Sequence, residues 1–158
     1  MLRPYVETDL EDLLDAWYQA SLVAHSFLSD EFMERERRAI AEEWMPISET
    51  TVYESDGRVV GFISMIGNEV GAIFVHPDHQ GNGIGRALMD SVRGSRPYLE
   101  LGVLEANEIG RRFYDAYGFK LVGRVMNEEA GVPELRMRLE ATPPGGASSG
   151  ASGSPFVS

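Results

Sequence analysis

The run from His79 to Arg86 has a composition that suits the binding of a phosphate group. Its glycines stand at positions 81, 83 and 85. Glycine allows tight turns that expose backbone N–H groups. The apolar spacing that follows predicts a helix from Ile84 to Arg93, whose first N–H groups are unpaired and carry partial positive charge. Arg86 can add a full charge. The run therefore predicts a phosphate or pyrophosphate site at a helix N-terminus.

The glycine spacing excludes two better-known phosphate loops. No Lys-Ser or Lys-Thr pair follows the glycines, as a Walker A loop requires. The dinucleotide fingerprint requires a third glycine where this chain has Arg86. The remaining pattern is Q-x-x-G-x-G from Gln80, preceded by the residues Val-His-Pro-Asp.

A second motif begins at Asn107 and continues through a helix-like segment with Phe113-Tyr114 to Gly118-Phe119. Together with the glycine run, it resembles the cofactor motifs of the GCN5-related N-acetyltransferases, the GNAT family. The resemblance spans about residues 2–140. It implies a transfer of acetyl from acetyl-CoA to a primary amine of a small molecule, peptide or protein, by direct attack in a ternary complex.

The resemblance also implies which residues bind the cofactor and act on it. Asn107 would contact the pantetheine arm, and Tyr114 would protonate the departing thiolate. From the residues alone, Asn107 is equally suited to cap a helix, and Tyr114 could be a packed aromatic. The implied cofactor-binding residues are Phe74, Val75, His76, Gln80, Gly81, Asn82, Gly83, Ile84, Gly85, Arg86, Asn107 and Tyr114.

The proton acceptor for the amine is less well defined. Some family members carry a Glu five residues before the motif Asn, but Gly102 occupies that position here. The candidates are His25, in a segment between the two N-terminal helices that borders the acceptor pocket in this family, and Glu100, acting through a water. Glu69 is a third choice, and a merely packed His25 is an open alternative.

A second function class also fits the motifs. A non-catalytic acyl-CoA-binding sensor or interaction module would retain the glycine run but could lose Tyr114. The presence of both Asn107 and Tyr114 favours the enzyme. Transfer of a longer acyl group stays open.

Composition limits the remaining possibilities. At 158 residues and 43% hydrophobic content, the chain predicts one domain with a proper core. The net charge of −11 opposes nucleic-acid binding and favours a cationic partner. No Cys is present, so a thiol nucleophile is excluded. No metal-site spacing, membrane span or signal-peptide core is visible. We expect a cytoplasmic protein that binds no metal or membrane, with a homodimer as one option.

Local patterns predict the elements that position these motifs. Their order is β-α-α-β-β-β-α-β-α-β-β. This order and the GNAT resemblance imply an α/β (α+β) fold, with a mixed, mostly antiparallel sheet of about seven strands and helices on both faces. Thr8 and Glu11 form a capping-box pattern, Ser29 or Asp30 could cap the second helix, and Glu34–Arg38 predicts a solvated helix face. The domain is residues 1–140, and residues 141–158 form a flexible Gly/Ser/Pro-rich tail.

Overall fold

A seven-stranded sheet with the order β1-β2-β3-β4-β5-β7-β6 forms the centre of the protein. The computed structural model describes residues 1–140, and the predicted tail lies outside the described part. The strands are β1 Leu2–Pro4, β2 Glu49–Ser55, β3 Arg58–Ile66, β4 Glu69–Val75, β5 Tyr98–Leu104, β6 Lys120–Asn127 and β7 Val132–Glu140. The helices are α1 Leu10–Ala24, α2 Asp30–Ala39, α3 Ile84–Arg93 and α4 Glu108–Tyr117.

The predicted element order and layered fold are confirmed. Helices α3 and α4 pack on one face of the sheet. Helices α1 and α2 and the π-helical continuation of α2, Ile40–Trp44, pack on the other. Along α3, Ile84, Leu88 and Val92 recur at four-residue spacing and are buried in the first core. Among the helices of residues 1–140, none has the length and apolarity to cross a membrane.

Strands β4 and β5 separate after a short paired segment, which opens the sheet beside the glycine run. They are the parallel pair, and their ladder consists of Glu69 opposite Glu100 and Val70 opposite Leu101. On its other side β4 pairs with β3, with a register shift that makes Gly71 an extra residue. Such a bulge bends a strand and increases its twist. The bulge directly follows Val70, the last residue of β4 that pairs with β5.

The first helix begins differently from the predicted capping box at Thr8. A short 3₁₀ turn, Glu7–Asp9, precedes α1, and the Asp9 carboxylate accepts the backbone N–H of Val6 at 2.9 Å. Arg3 of β1 donates to both oxygens of the same carboxylate at 2.8 Å. The prediction at Thr8 is therefore wrong, because an ion pair with Arg3 of the preceding strand places Asp9 at this helix start.

The start of α2 follows the prediction, but its presumed solvated face does not. Ser29 caps the helix by accepting the backbone N–H of Phe32 at 3.1 Å. Glu36, predicted to be solvated, is 3% exposed. One turn earlier, Phe32 packs with Leu104 and with residues of the β6–β7 turn. Burial, and next the nearby Glu129 carboxyl, raise the pKa of Glu36 to about 8.

Glu36→Gln is expected to stabilise the fold at alkaline pH and to have little effect at pH 5. The pKa of Glu36 is raised by folding from 4.5 to about 8, so the native state prefers the protonated acid. Glu36 therefore makes its full contribution to the stability of the wild type below the unfolded pKa, and this contribution is lost as pH rises through 8. Each pKa unit is worth about 1.4 kcal/mol, so the gain near pH 9 should be several kcal/mol. Urea unfolding at the two pH values measures it.

Glu34→Gln is the matched control, because Glu34 is an exposed carboxylate on the same helix. It removes the same charge without relieving a buried group, and its stability should change by less than about 0.5 kcal/mol at either pH. If the Glu36→Gln protein were only as stable as wild type at pH 9, Glu36 would not be a buried carboxyl group with a raised pKa.

Candidate active site

The glycine run forms an open loop at the start of α3. Gly81 and Gly83 have φ angles of +83° and +79°, which L-residues with side chains rarely adopt. A Cβ on either would meet nothing within 4 Å, so the outer side of the loop is free of protein atoms in residues 1–140. Gly83 directly precedes α3, so the unpaired backbone N–H groups of the first helical turn lie next to this open loop. The loop can therefore hold an anion, as the sequence predicted.

Two side chains of the loop form hydrogen bonds to backbone carbonyls and so stabilise its conformation. Gln80 donates from Nε2 to the carbonyl of Val75 at 3.0 Å, which ties the loop to the end of β4. Asn82 donates from Nδ2 to the carbonyl of His79 at 3.3 Å. Both amides are thus used to shape the backbone, and the contacts that the loop offers to a ligand are chiefly backbone N–H groups.

The first turn of α3 packs tightly against α4. A Cβ on Gly85 would lie 3.2 Å from the ring of Phe113, so glycine allows the close approach of the two helices. Ile84 is buried in the core beside it. The exposed guanidinium of Arg86 lies over the ring of Tyr117, 5.4 Å from its centroid. This cation–π contact holds Arg86 beside the loop.

Helix α4 carries the second motif toward the same opening. Asn107 caps the helix, and its Oδ1 accepts the backbone N–H of Gly110 at 2.9 Å. Tyr114, two turns further, is 4% exposed. Burial alone raises the pKa of its phenol above the ordinary value, so the group keeps its proton at neutral pH.

A single cavity of about 420 Å³ joins the loop to α4. It accounts for most of the predicted cofactor-binding set, namely Phe74, Val75, Gln80, Gly81, Gly83, Ile84, Gly85, Arg86, Asn107 and Tyr114. Asn82 belongs to the loop but does not line the cavity. His76 does not line it either, because its Nδ1 accepts the backbone N–H of Asp78 at 3.1 Å and its Nε2 lies 3.7 Å from Asp15.

The predicted proton acceptors lie outside this cavity. Glu100 is on β5, with its carboxylate 3.4 Å from Arg138, and Glu69 binds Arg136 at 2.6 Å. His25 is 2% exposed, and its Nε2 lies 3.3 Å from Nδ2 of Asn107. Among residues 1–140, no Asp or Glu side chain lines the cavity. The structure therefore brings together most residues of the predicted cofactor-binding set, but it places the predicted proton acceptors outside the cavity.

Gly102 has a structural reason to lack a side chain. A Cβ there would lie 2.2 Å from Oε2 of Glu134, which projects from β7 over the backbone of β5. The Glu134 carboxylate also binds Arg136 at 3.3 Å and Asn127 at 3.1 Å. A carboxylate from the neighbouring strand therefore fills the space that a side chain on residue 102 would need.

One wall of the cavity is formed by residues that belong to neither sequence motif and were not predicted. Helix α1 contributes Ala20, Val23 and Ala24 to the lining. The small residues Ala20 and Ala24, four apart on one face, leave room for a ligand, and that spacing was a usable signal.

The sequence comparisons agree with this geometry. The family model described as an acetyltransferase (GNAT) domain matches residues 15–141. The peptidyl-lysine N-acetyltransferase YiaC of Escherichia coli (strain K12) is 29% identical over 134 residues, which are 84% of this chain and 92% of that protein. The peptidyl-lysine N-acetyltransferase YjaB of the same strain is 33% identical over 131 residues, covering 82% and 88%.

Solved structures show the same fold. The solution structure of apo-form YjaB from Escherichia coli has a TM-score of 0.77 and 28% identity, covering 87% of this chain and 95% of that one. The PaiA N-acetyltransferase of Thermoplasma acidophilum, in complex with coenzyme A, has a TM-score of 0.70 at 19% identity, covering 89% and 98%. The chain belongs to the GNAT acetyltransferase domain family.

Proposed function

We propose that this acetyltransferase modifies the ε-amino group of lysine in a peptide or protein, with acetyl-CoA as the donor. The observation that carries the proposal is the cavity of about 420 Å³ that runs from the glycine loop to Tyr114. The lysine acceptor is supported by YiaC and YjaB, which are both named peptidyl-lysine N-acetyltransferases. The net charge of −11 also favours a cationic acceptor.

The residues of the cavity fit acetyl-CoA from one end to the other. The loop backbone around Gly83 and the charge of Arg86 suit a pyrophosphate. Past Val70, β4 and β5 are no longer paired. Backbone groups of Ile73 and Val75, which alternate with residues bonded to β3, can then bind the amides of an extended arm as an added strand would. Phe113 and Ile73 supply apolar walls.

Acetyl-CoA supplies a thioester carbonyl for the amine to attack and a thiolate that departs. Tyr114 lines the cavity, and burial raises the pKa of its phenol, so the group carries a proton at neutral pH, as a general acid for that thiolate must. The chain has no Cys to form an acyl-enzyme thioester. No carboxylate of residues 1–140 lines the cavity, and the imidazole that does, that of His79, belongs to the glycine run. We therefore propose that the amine releases its proton to water.

The test is an acceptor panel with acetyl-CoA, read by thiol release and by mass spectrometry of the products. A lysine-containing peptide should gain an acetyl group on Nζ, and the same peptide with norleucine in place of lysine should not. Turnover of small amines alone would contradict the peptide assignment. Thermal stabilisation by acetyl-CoA without any amine-dependent thiol release would indicate the non-catalytic binding module instead. The domain boundary at residue 140, the cytoplasmic location and the homodimer stay predictions.

A further inference from the structure

His25 is connected to the cavity through Asn107. The imidazole lies at the end of α1, is 2% exposed and does not line the cavity, whereas Asn107 does. The two side chains meet between Nε2 of His25 and Nδ2 of Asn107, 3.3 Å apart and buried. This contact joins α1, which forms one wall of the cavity, to the first turn of α4.

The hydrogen-bond partners of Asn107 determine which way its amide points. The backbone N–H of Gly110 can only donate, so the atom 2.9 Å from it must be the oxygen Oδ1. The nitrogen Nδ2 therefore faces His25, and because an amide nitrogen only donates, Nε2 of His25 must accept. The imidazole is then neutral, with its proton on Nδ1.

Two consequences follow for the site. The amide of Asn107 is held at both ends and cannot flip, and one of the two hydrogens on Nδ2 is left for a ligand in the cavity. The lone pair on Nε2 of His25 is occupied by Asn107, and the other ring nitrogen carries the proton. Neither nitrogen of this tautomer is available to take a proton from an incoming amine.

We propose that His25 is a positioning residue, which orients Asn107 for the binding of acetyl-CoA, and not the proton acceptor for the amine. The inference rests on the proposed function, because it assigns the remaining N–H of Asn107 to the bound acetyl-CoA. It accounts for a buried polar side chain at the end of α1 that the reaction itself does not use.

Two substitutions at His25 separate the roles. His25→Leu keeps the bulk but removes the acceptor, and the loss of one buried hydrogen bond should raise both the Kd and the KM for acetyl-CoA about tenfold. Its kcat should stay within about threefold of wild type, because no group that touches the reacting atoms is lost. His25→Gln places an oxygen near the position of Nε2 and should restore Kd to within about threefold of wild type.

A double-mutant cycle tests the route through Asn107. In an Asn107→Ala background, His25→Leu should produce no further rise in the Kd for acetyl-CoA, because the two residues act as one unit. The pH–rate profile of His25→Gln should parallel that of wild type. Thermal unfolding of each variant checks the fold, and if His25→Leu does not fold, His25→Gln and its pH profile decide.

Three results would overturn the inference. His25→Leu could bind acetyl-CoA as wild type does, or the effects of the two substitutions could simply add. His25→Gln could lose about a hundredfold or more in kcat together with one limb of the pH–rate profile, which would make His25 the base. Failure of wild-type protein to bind acetyl-CoA or to turn over would refute the proposed function itself, and the inference with it.

Discussion

Tyr114→Phe is expected to lower kcat by about a hundredfold or more, in the range observed for the loss of a general acid. The substitution removes only the phenol oxygen, and the ring, buried at 4% exposure, keeps its packing against Phe113 and Phe119. The KM for acetyl-CoA should change by less than about threefold, because the lost proton is used only after binding. Steady-state thiol release with a lysine peptide measures both constants.

Tyr117→Phe is the matched control for that experiment. Tyr117 lies on the same helix, but its hydroxyl donates to Asp90 and it does not line the cavity. Loss of this hydroxyl should leave kcat within about threefold of wild type, since it touches no reacting group. If Tyr114→Phe turned over as fast as Tyr117→Phe, the assignment of Tyr114 as the acid would be wrong.

Gly83→Glu should weaken the binding of acetyl-CoA by about a hundredfold or more. Residue 83 has a φ of +79°, and forcing a side chain into that conformation costs about 1–2 kcal/mol. The carboxylate would also face the pyrophosphate, and each like-charge pair at 4 Å costs up to about 4 kcal/mol near a protein surface. The strain lowers the stability of the fold, whereas the charge repulsion acts on binding and by itself can exceed the 2.8 kcal/mol or so that a hundredfold loss requires. Calorimetric titration with acetyl-CoA measures the change.

Gly57→Glu separates the two causes. Gly57 has a φ of +78° in the β2–β3 turn, with nothing within 4 Å of an added Cβ, so it imposes the same backbone strain outside the cavity. Its protein should lose stability to a similar extent yet bind acetyl-CoA as wild type does. Equal losses of binding in both variants would mean that strain, and not the anion site, explains the effect.

The parts of the site that were predictable are those encoded locally. The glycine loop, the start of α3 and the helix with Asn107 and Tyr114 depend on residues near each other in sequence. Positive φ angles, N-caps and helical periodicity are short-range properties. The bounds of α3 follow the prediction for the same reason.

The remaining features depend on contacts between distant segments. Glu36 stands in a charged run, yet it is buried on a helix that packs against the β6–β7 turn, and Glu129 of that turn lies beside it. Gly102 is explained by Glu134 on the neighbouring strand. His25 meets Asn107 across 82 positions of the chain. Periodicity and spacing carry no information about such pairs, so the sequence could name His25 as a candidate but not its partner.

The most direct test of the account measures initial rates of thiol release while acetyl-CoA and a lysine peptide are varied together. Direct transfer within the cavity that joins the glycine loop to Tyr114 predicts saturation by both substrates and intersecting double-reciprocal lines, with acetyl appearing on the lysine. Parallel lines would indicate an acetylated enzyme intermediate. Parallel lines, or no thiol release despite acetyl-CoA binding, would contradict the account.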